Sequence, residues 1–207
     1  ERINRLTSLK KKETVKAVPL ANYENEQLAF VERIRNREPL DGVYLYKYGH
    51  TQQFKQLSKV LHVIAPSDLV IIAGRPSVGK TSFSLALTNA LLKNGYRGAY
   101  FSLEMSNEQL LHRLAIAKSG IPNDNLYASD RDIKDEEIVS YTHALEYFSK
   151  QPLYITEKLP KSWKDIEASI LKMKDKLDFV VVDYLGLISS YDGNDYNQPK
   201  HTIIGNI

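Results

Sequence analysis

The residues able to do chemistry in this sequence are Lys80, Thr81, Glu104 and Asp183. Lys80 and Thr81 close the stretch Gly74-Arg75-Pro76-Ser77-Val78-Gly79-Lys80-Thr81, a G-x-x-x-x-G-K-[ST] pattern continued by Ser82. Such a pattern is informative when a strand leads into it and a helix leaves it. The apolar run Leu69-Val70-Ile71-Ile72-Ala73 precedes it, and Ser82 to Lys93 follows with helical spacing, so a strand, a phosphate-binding loop and a helix are predicted. Gly74 and Gly79 are expected to adopt backbone angles closed to other residues, which turns successive N–H groups inward as a nest for phosphate oxygens. The helix that begins there adds the positive end of its dipole. Lys80 would reach the β- and γ-phosphates as a point charge, and the Thr81 hydroxyl would occupy one Mg²⁺ position. The ligand implied is a nucleoside triphosphate with Mg²⁺, held by Gly74, Arg75, Pro76, Ser77, Val78, Gly79, Lys80, Thr81 and Ser82.

Two carboxylates end apolar strands. Gly98-Ala99-Tyr100-Phe101-Ser102-Leu103-Glu104-Met105 reads as a strand that gives way to a helix, with Ser106 and Gln109 spaced as a capping box. Glu104 therefore falls at the carboxyl edge of the sheet, where ligands of open α/β sheets bind; its competing reading is a surface charge after a strand. Phe179-Val180-Val181-Val182-Asp183 is an unbroken apolar run of the kind buried on both faces of a parallel sheet. A carboxylate at its end follows the Walker B pattern, and Asp183 would hold Mg²⁺ through a water opposite Thr81.

The elements that must position these groups follow from periodicity. In the helix after the loop, Phe83, Leu87, Ala90 and Leu91 form the expected buried stripe, and Gly95 stops it. The polar stretch from Pro122 to Asp135 reads as a loop, Glu136 to Lys150 as a helix, and Leu153-Tyr154-Ile155-Thr156 as a further strand. Ser162 caps a helix whose Trp163, Ile166, Ile170, Met173 and Leu177 make a core stripe. Apolar strands alternating with helices predict an α/β fold, a doubly wound, mainly parallel sheet with right-handed crossovers.

The flanks are less regular. From Gly42 to Val63, Val43, Leu45 and the tyrosines 44, 46 and 48 suggest a strand, with Thr51 to Val60 helical. The aromatics interleaved with Lys47 fit either a half-buried edge strand or a stacking surface for nucleic acid. Residues 1–40 form a separate basic segment: Arg2, Arg5, Lys10, Lys11, Lys12 and Lys16 read as a tether, and Asn22 to Arg37 as a helix with Phe30 and Ile34 on one side. So short a helix is marginal alone and needs a groove, either on residues 41–207 or on a neighbouring copy. Ser189 to Ile207 is polar and loop-like.

Composition narrows the classes. The chain has 207 residues, 43% of them hydrophobic, and a formal charge of +3, which permits an anionic partner and equally fits a solvated surface with extra lysines. It contains no cysteine, which excludes disulfides, thiol nucleophiles and cysteine zinc sites and suits a reducing cytosol. No apolar run approaches the length of a membrane span, about 18 residues or more. The sequence opens on Glu1 rather than methionine, so a fragment or processed form is expected.

With Lys80, Thr81, Glu104 and Asp183 in place, the chain resembles the RecA-like motor domain of DnaB-type replicative DNA helicases over roughly residues 40 to 190. G-R-P-S-V-G-K-T is close to that family's P-loop, F-S-L-E-M-S matches its second motif, and V-V-V-D-Y-L-G-L-I follows its Walker B strand. The resemblance implies a ring, usually of six subunits, that hydrolyses ATP with Mg²⁺ at subunit interfaces and moves along single-stranded DNA in a bacterial or phage replisome, with a primase and a helicase loader as partners. It gives Lys80 and Thr81 the phosphate and Mg²⁺, Glu104 the role of general base, and Asp183 that of the Walker B carboxylate. It also makes the helix within residues 22–37 a linker helix that docks on the adjacent subunit. Gly186 departs from the glutamine usual in the family, and the family's later motifs, including its arginine finger, fall beyond Ile207. Such a finger is worth about 10³ to 10⁵ in rate, so the chain alone is expected to bind nucleotide and hydrolyse it poorly. The rival readings are a recombination-type ATPase of the same fold, a clamp-loading ATPase, in which Tyr184 stands where a glutamate is expected, and a ring-assembly module that binds nucleotide without catalysis.

Overall fold

The computed structural model describes residues 17–49, 52–122, 132–156 and 162–183. They fall into two compact units divided between Leu40 and Asp41. The expected tether over residues 1–16, most of the loop between Pro122 and Asp135, and everything from Tyr184 onward, Gly186 included, lie outside the described residues.

In the first unit Pro19 precedes a 3₁₀ turn, Leu20–Tyr23, which runs into helix α1, Glu24–Arg35. Glu24 and Glu26 occupy its first turn and Arg33 and Arg35 its last, each charge facing the end of the helix dipole that favours it. Leu28, Phe30, Val31 and Ile34 are exposed.

The second unit is built on a parallel sheet that has, among the described residues, three strands in the order β2-β1-β3. They are β1, Gly98–Ser102, β2, Leu153–Ile155, and β3, Phe179–Asp183. Gly98 lies opposite Leu153 on one side and Phe179 on the other, and Ser102 lies opposite Asp183. Every residue of the central strand β1 is buried. Because side chains alternate along a strand, β1 serves both faces. Tyr100 packs on one face with Leu85, Leu110, Leu114 and Phe148. These come from helices α3 (Lys80–Lys93), α4 (Asn107–Ser119) and α5 (Asp135–Ser149). Ala99 and Phe101 pack on the other with Ile166, Trp163, Ile170, Met173 and Leu177. Most of that stripe is α6, Trp163–Met173, as its spacing predicts. Helices thus cover both faces of a parallel sheet, the doubly wound α/β arrangement.

Local chemistry sets the helix ends. Ser106 Oγ accepts from Gln109 N at 3.3 Å while Gln109 Oε1 accepts from Ser106 N at 3.1 Å, the reciprocal box expected at the start of α4. Ser162 and Asp165 form the same box at α6. Helix α3 ends at Asn94 and Gly95, where Tyr96 N–H reaches back to Leu91 O at 3.1 Å. Its buried surface is wider than one stripe. Leu85 and Thr88 are buried together with Leu91 and Leu92, whereas Phe83 remains 39% exposed. The reason is that α3 has two neighbours: Leu85 joins the sheet cluster, and Leu91 packs with Val43 and Leu45.

Two expected strands differ. Leu69–Ala73 forms no ladder among the described residues, and Ile71 is 61% exposed. Apolar composition favours burial, but a strand also needs a neighbouring backbone to pair with. The tyrosine-rich run near Val43 contributes, among the described residues, an isolated antiparallel bridge to Ile64. Backbone groups beside it are taken by side chains at the end of α3. Tyr44 N–H donates to the Tyr96 hydroxyl at 3.0 Å, and Asn94 Nδ2 donates to Tyr44 O at 2.8 Å. The helix expected over Thr51 to Val60 is α2, Lys55–Leu61, which starts late because Phe54 has φ 61°, in the left-handed region.

An ion pair ties the start of β3 to the start of β1. Arg97 Nη2 donates to Asp178 Oδ1 at 2.9 Å, and Arg97 Nε and backbone N–H donate to Oδ2 at 3.1 and 2.7 Å. These hydrogen bonds, with the guanidinium's charge, hold the Asp178 carboxyl below its ordinary range despite partial burial. A depressed carboxyl stabilises the fold above its unfolded pKa and loses that contribution as pH falls through its folded pKa. Thermal melts of Asp178→Asn are therefore expected to show a lower melting temperature at neutral pH and a shallower loss of stability on acidification below about pH 4. Parallel acid slopes for wild type and variant would contradict this.

Candidate functional site

The phosphate-loop motif is a turn that enters α3 at Lys80, with Gly79 as N-cap. Gly79 has φ +96° and Ser77 φ +64°, so the chain passes twice through the left-handed region. Such alternation points successive N–H groups to one side, the property of an anion nest. The N–H groups in the first turn of a helix have no intrahelical acceptor, and here Lys80, Thr81 and Ser82 occupy that turn. Gly74 serves differently from the expectation: its φ is not in the left-handed region, but a Cβ there would lie 2.9 Å from Val78 Cγ2. It provides space, where Gly79 provides backbone freedom. Lys80 Nζ donates to Gly74 O at 3.1 Å and to Arg75 O at 3.0 Å, which holds the ammonium against the loop. Val78 is exposed at the loop's tip, and Arg75, Pro76 and Ser77 are exposed beside it.

Asp183, the last residue of β3, is brought to the first turns of α3 by two side chains that sequence reading did not select. Tyr100 donates to Asp183 Oδ2 at 2.8 Å, and its hydroxyl lies 2.7 Å from Ser84 Oγ. Ser84 Oγ lies 2.9 Å from the carbonyl of Thr81, to which it can donate. Burial pushes the Tyr100 phenol well above its ordinary value; the Ser84 hydrogen bond opposes this and the Asp183 carboxylate adds to it. The phenol is thus a neutral donor throughout the physiological range. The overlooked signal was a hydroxyl at Tyr100 within an otherwise apolar strand and another at Ser84 on a helix face, since buried hydroxyls require partners.

Glu104 follows β1 by two residues. The turn that carries it is clamped by Ser102, whose hydroxyl accepts from Met105 N at 3.1 Å and donates to Met105 O at 2.9 Å. Glu104 lines a cavity of about 760 Å³ with Ser82 and Leu85 of α3 and Gln109, His112 and Arg113 of α4. Because Ser102 and Asp183 are register partners, both carboxylates leave the same edge of the sheet on adjacent strands. Glu104 and Ser82 share one cavity wall, and Asp183 and Thr81 share one hydrogen-bond chain. The oxygens offered by Thr81 and Asp183 suit Mg²⁺, a hard cation that takes one or two protein oxygens and completes its shell with water and phosphate.

A family model described as the DnaB-like helicase C terminal domain matches residues 49–207. The chain belongs to the DnaB-like helicase family. It is similar to the replicative DNA helicase DnaB of Geobacillus stearothermophilus, at 32% identity over 90% of this chain and 39% of the relative. It is also similar to the replicative DNA helicase DnaC of Bacillus subtilis, at 30% identity over 85% of this chain and 37% of the relative. The chain thus spans about two fifths of the length of these curated relatives. Among solved structures, an isolated ATPase domain superposes with a TM-score of 0.70 at 25% identity, covering 84% of this chain and 60% of that one. A DnaB-like replicative helicase studied with primase superposes with a TM-score of 0.71 at 23% identity, covering 93% and 45%. That second likeness speaks for the fold, which is RecA-like as expected. Neither the recombination-type nor the clamp-loading alternative is favoured by these relatives. Among the described residues no helix is long and apolar enough to cross a membrane.

Proposed function

We propose that this chain is the ATP-hydrolysing motor of a replicative DNA helicase. The observation that supports it best is the convergence of the Lys80–Thr81 helix start, Asp183 and Glu104 at one edge of the sheet in a DnaB-like domain. In this reading the loop from Gly74 to Gly79 and the first turn of α3 take the β- and γ-phosphates, and Lys80 moves its donors from the loop carbonyls to phosphate oxygens. Thr81 and Asp183 hold Mg²⁺, which supplies charge to offset that building on the phosphate oxygens. Glu104 accepts a proton from the attacking water as its oxygen bonds to the γ-phosphorus. The bond to the bridging oxygen breaks, and its electron pair leaves with ADP.

Residues 1–40 act as a linker whose helix, α1, lays its exposed Phe30, Val31 and Ile34 on a neighbouring copy, and residues 41–207 are the ATPase domain. Six copies form a ring around single-stranded DNA, in the cytoplasm of a bacterium or of a phage-infected cell, where a primase and a helicase loader dock. The full-length protein should unwind a forked duplex in the presence of ATP and Mg²⁺ and leave it intact without either. Failure to displace the strand under conditions where it hydrolyses ATP would overturn the helicase reading.

A further inference from the structure

We infer that Tyr100 is a positioning residue for the metal-holding carboxylate, orienting Asp183 from the core and coupling it to the first turn of α3. This rests on the proposed role of Asp183 in holding Mg²⁺. The tyrosine ring is anchored: Tyr100 is 1% exposed and packs among Leu85, Leu110, Leu114 and Phe148. A phenylalanine would fill the same volume, and an added hydroxyl is costly to bury unless it is hydrogen-bonded. Here the hydroxyl sits between Ser84 and Asp183, at 2.7 and 2.8 Å.

The donors and acceptors leave one arrangement at the carboxylate. Three contacts, from Ser84 to Thr81, Ser84 to Tyr100 and Tyr100 to Asp183, share two hydroxyl protons. An ionised carboxylate only accepts, so the Tyr100 proton goes to Asp183 Oδ2. Ser84 then directs its own proton to the phenol oxygen or to the Thr81 carbonyl. Oδ2 is fixed by a donor that cannot swing away, which leaves Oδ1 in a set orientation for a water on the ion. Thr81, the other residue assigned to Mg²⁺, receives the opposite end of the same chain through its backbone. The positions of the two oxygen-bearing residues are thereby linked through Ser84 and Tyr100.

Partners of this kind, one step removed from a metal, change its affinity by about 10- to 100-fold when lost. The test is the binding of a fluorescent ATP analogue to the full chain, titrated with Mg²⁺ and repeated in EDTA. Tyr100→Phe should raise the Mg²⁺ concentration at half-saturation about tenfold while changing affinity in EDTA by less than about twofold. Ser84→Ala leaves the donor to Asp183 in place and should move the midpoint by less than about threefold. A Tyr100→Phe midpoint matching wild type, or equal shifts with Mg²⁺ and in EDTA, would overturn the inference, the second outcome meaning that the hydroxyl only supports packing. Asp183→Asn separates the two claims. If it shifts the Mg²⁺ midpoint and Tyr100→Phe does not, the positioning role alone falls; if Asp183→Asn leaves the midpoint unchanged, the metal role of Asp183 falls as well.

Discussion

Glu104→Gln is expected to lower ATP turnover by about 10²- to 10⁴-fold, the range that a positioned general base contributes. Nucleotide affinity should remain within a few-fold of wild type. The split follows from geometry. Glu104 stands off the end of β1 on the turn clamped by Ser102, in the cavity it shares with Ser82, whereas the loop and Lys80 that take the phosphates belong to a different segment. Glutamine keeps the length and hydrogen-bonding capacity of the side chain and removes its ability to accept the water's proton. Equilibrium binding of a nucleotide analogue and steady-state phosphate release measure the two halves separately. Loss of binding would show that Glu104 supports the nucleotide pocket, and near-normal turnover would remove it from the reaction.

Phe101→Ala should cost about 3–5 kcal/mol of folding stability, the usual range for emptying a buried aromatic site. Phe101 is 1% exposed and sits with Ala99 and Ile166 on the face of β1 that α6 covers. The strand cannot shift to fill the space, because it is hydrogen-bonded to β2 on one side and β3 on the other. For a domain of this size the loss corresponds to a fall in melting temperature on the order of 10 °C. Glu104 and Asp183 leave the ends of the two strands concerned, so turnover should decline at a lower temperature in the variant and match wild type where both remain folded. A stability change below about 1 kcal/mol would mean that this face of the sheet is not the core described.

What was legible in the sequence was whatever short-range chemistry dictates. The reciprocal cap of Ser106 and Gln109 and the 3.6-residue stripe of α6 depend on neighbours within a few positions, and both formed as their spacing predicts. The apolar runs at β1 and β3 are buried or half-buried in the sheet for the same reason. Leu69–Ala73 has similar composition without a ladder, because pairing depends on a distant backbone that composition does not specify. The tyrosine-rich run from Tyr44 to Tyr48 alternates like a strand, yet Tyr96 and Asn94 take its backbone groups from about 50 positions away. The site was legible in the same uneven way. Lys80, Thr81, Glu104 and Asp183 can be picked out because motif and strand end mark them. Tyr100 and Ser84 carry no motif, and their part emerges only when β1 lies between α3 and β3.

The most direct measurement of the central claim is the ATP hydrolysis rate of the full-length protein with and without single-stranded DNA, taken with its mass in solution in MgATP. The expected result is DNA-stimulated turnover from a species of about six subunits, abolished by Asp183→Asn. Tight MgATP binding by a monomer whose slow turnover is indifferent to DNA would contradict the motor reading.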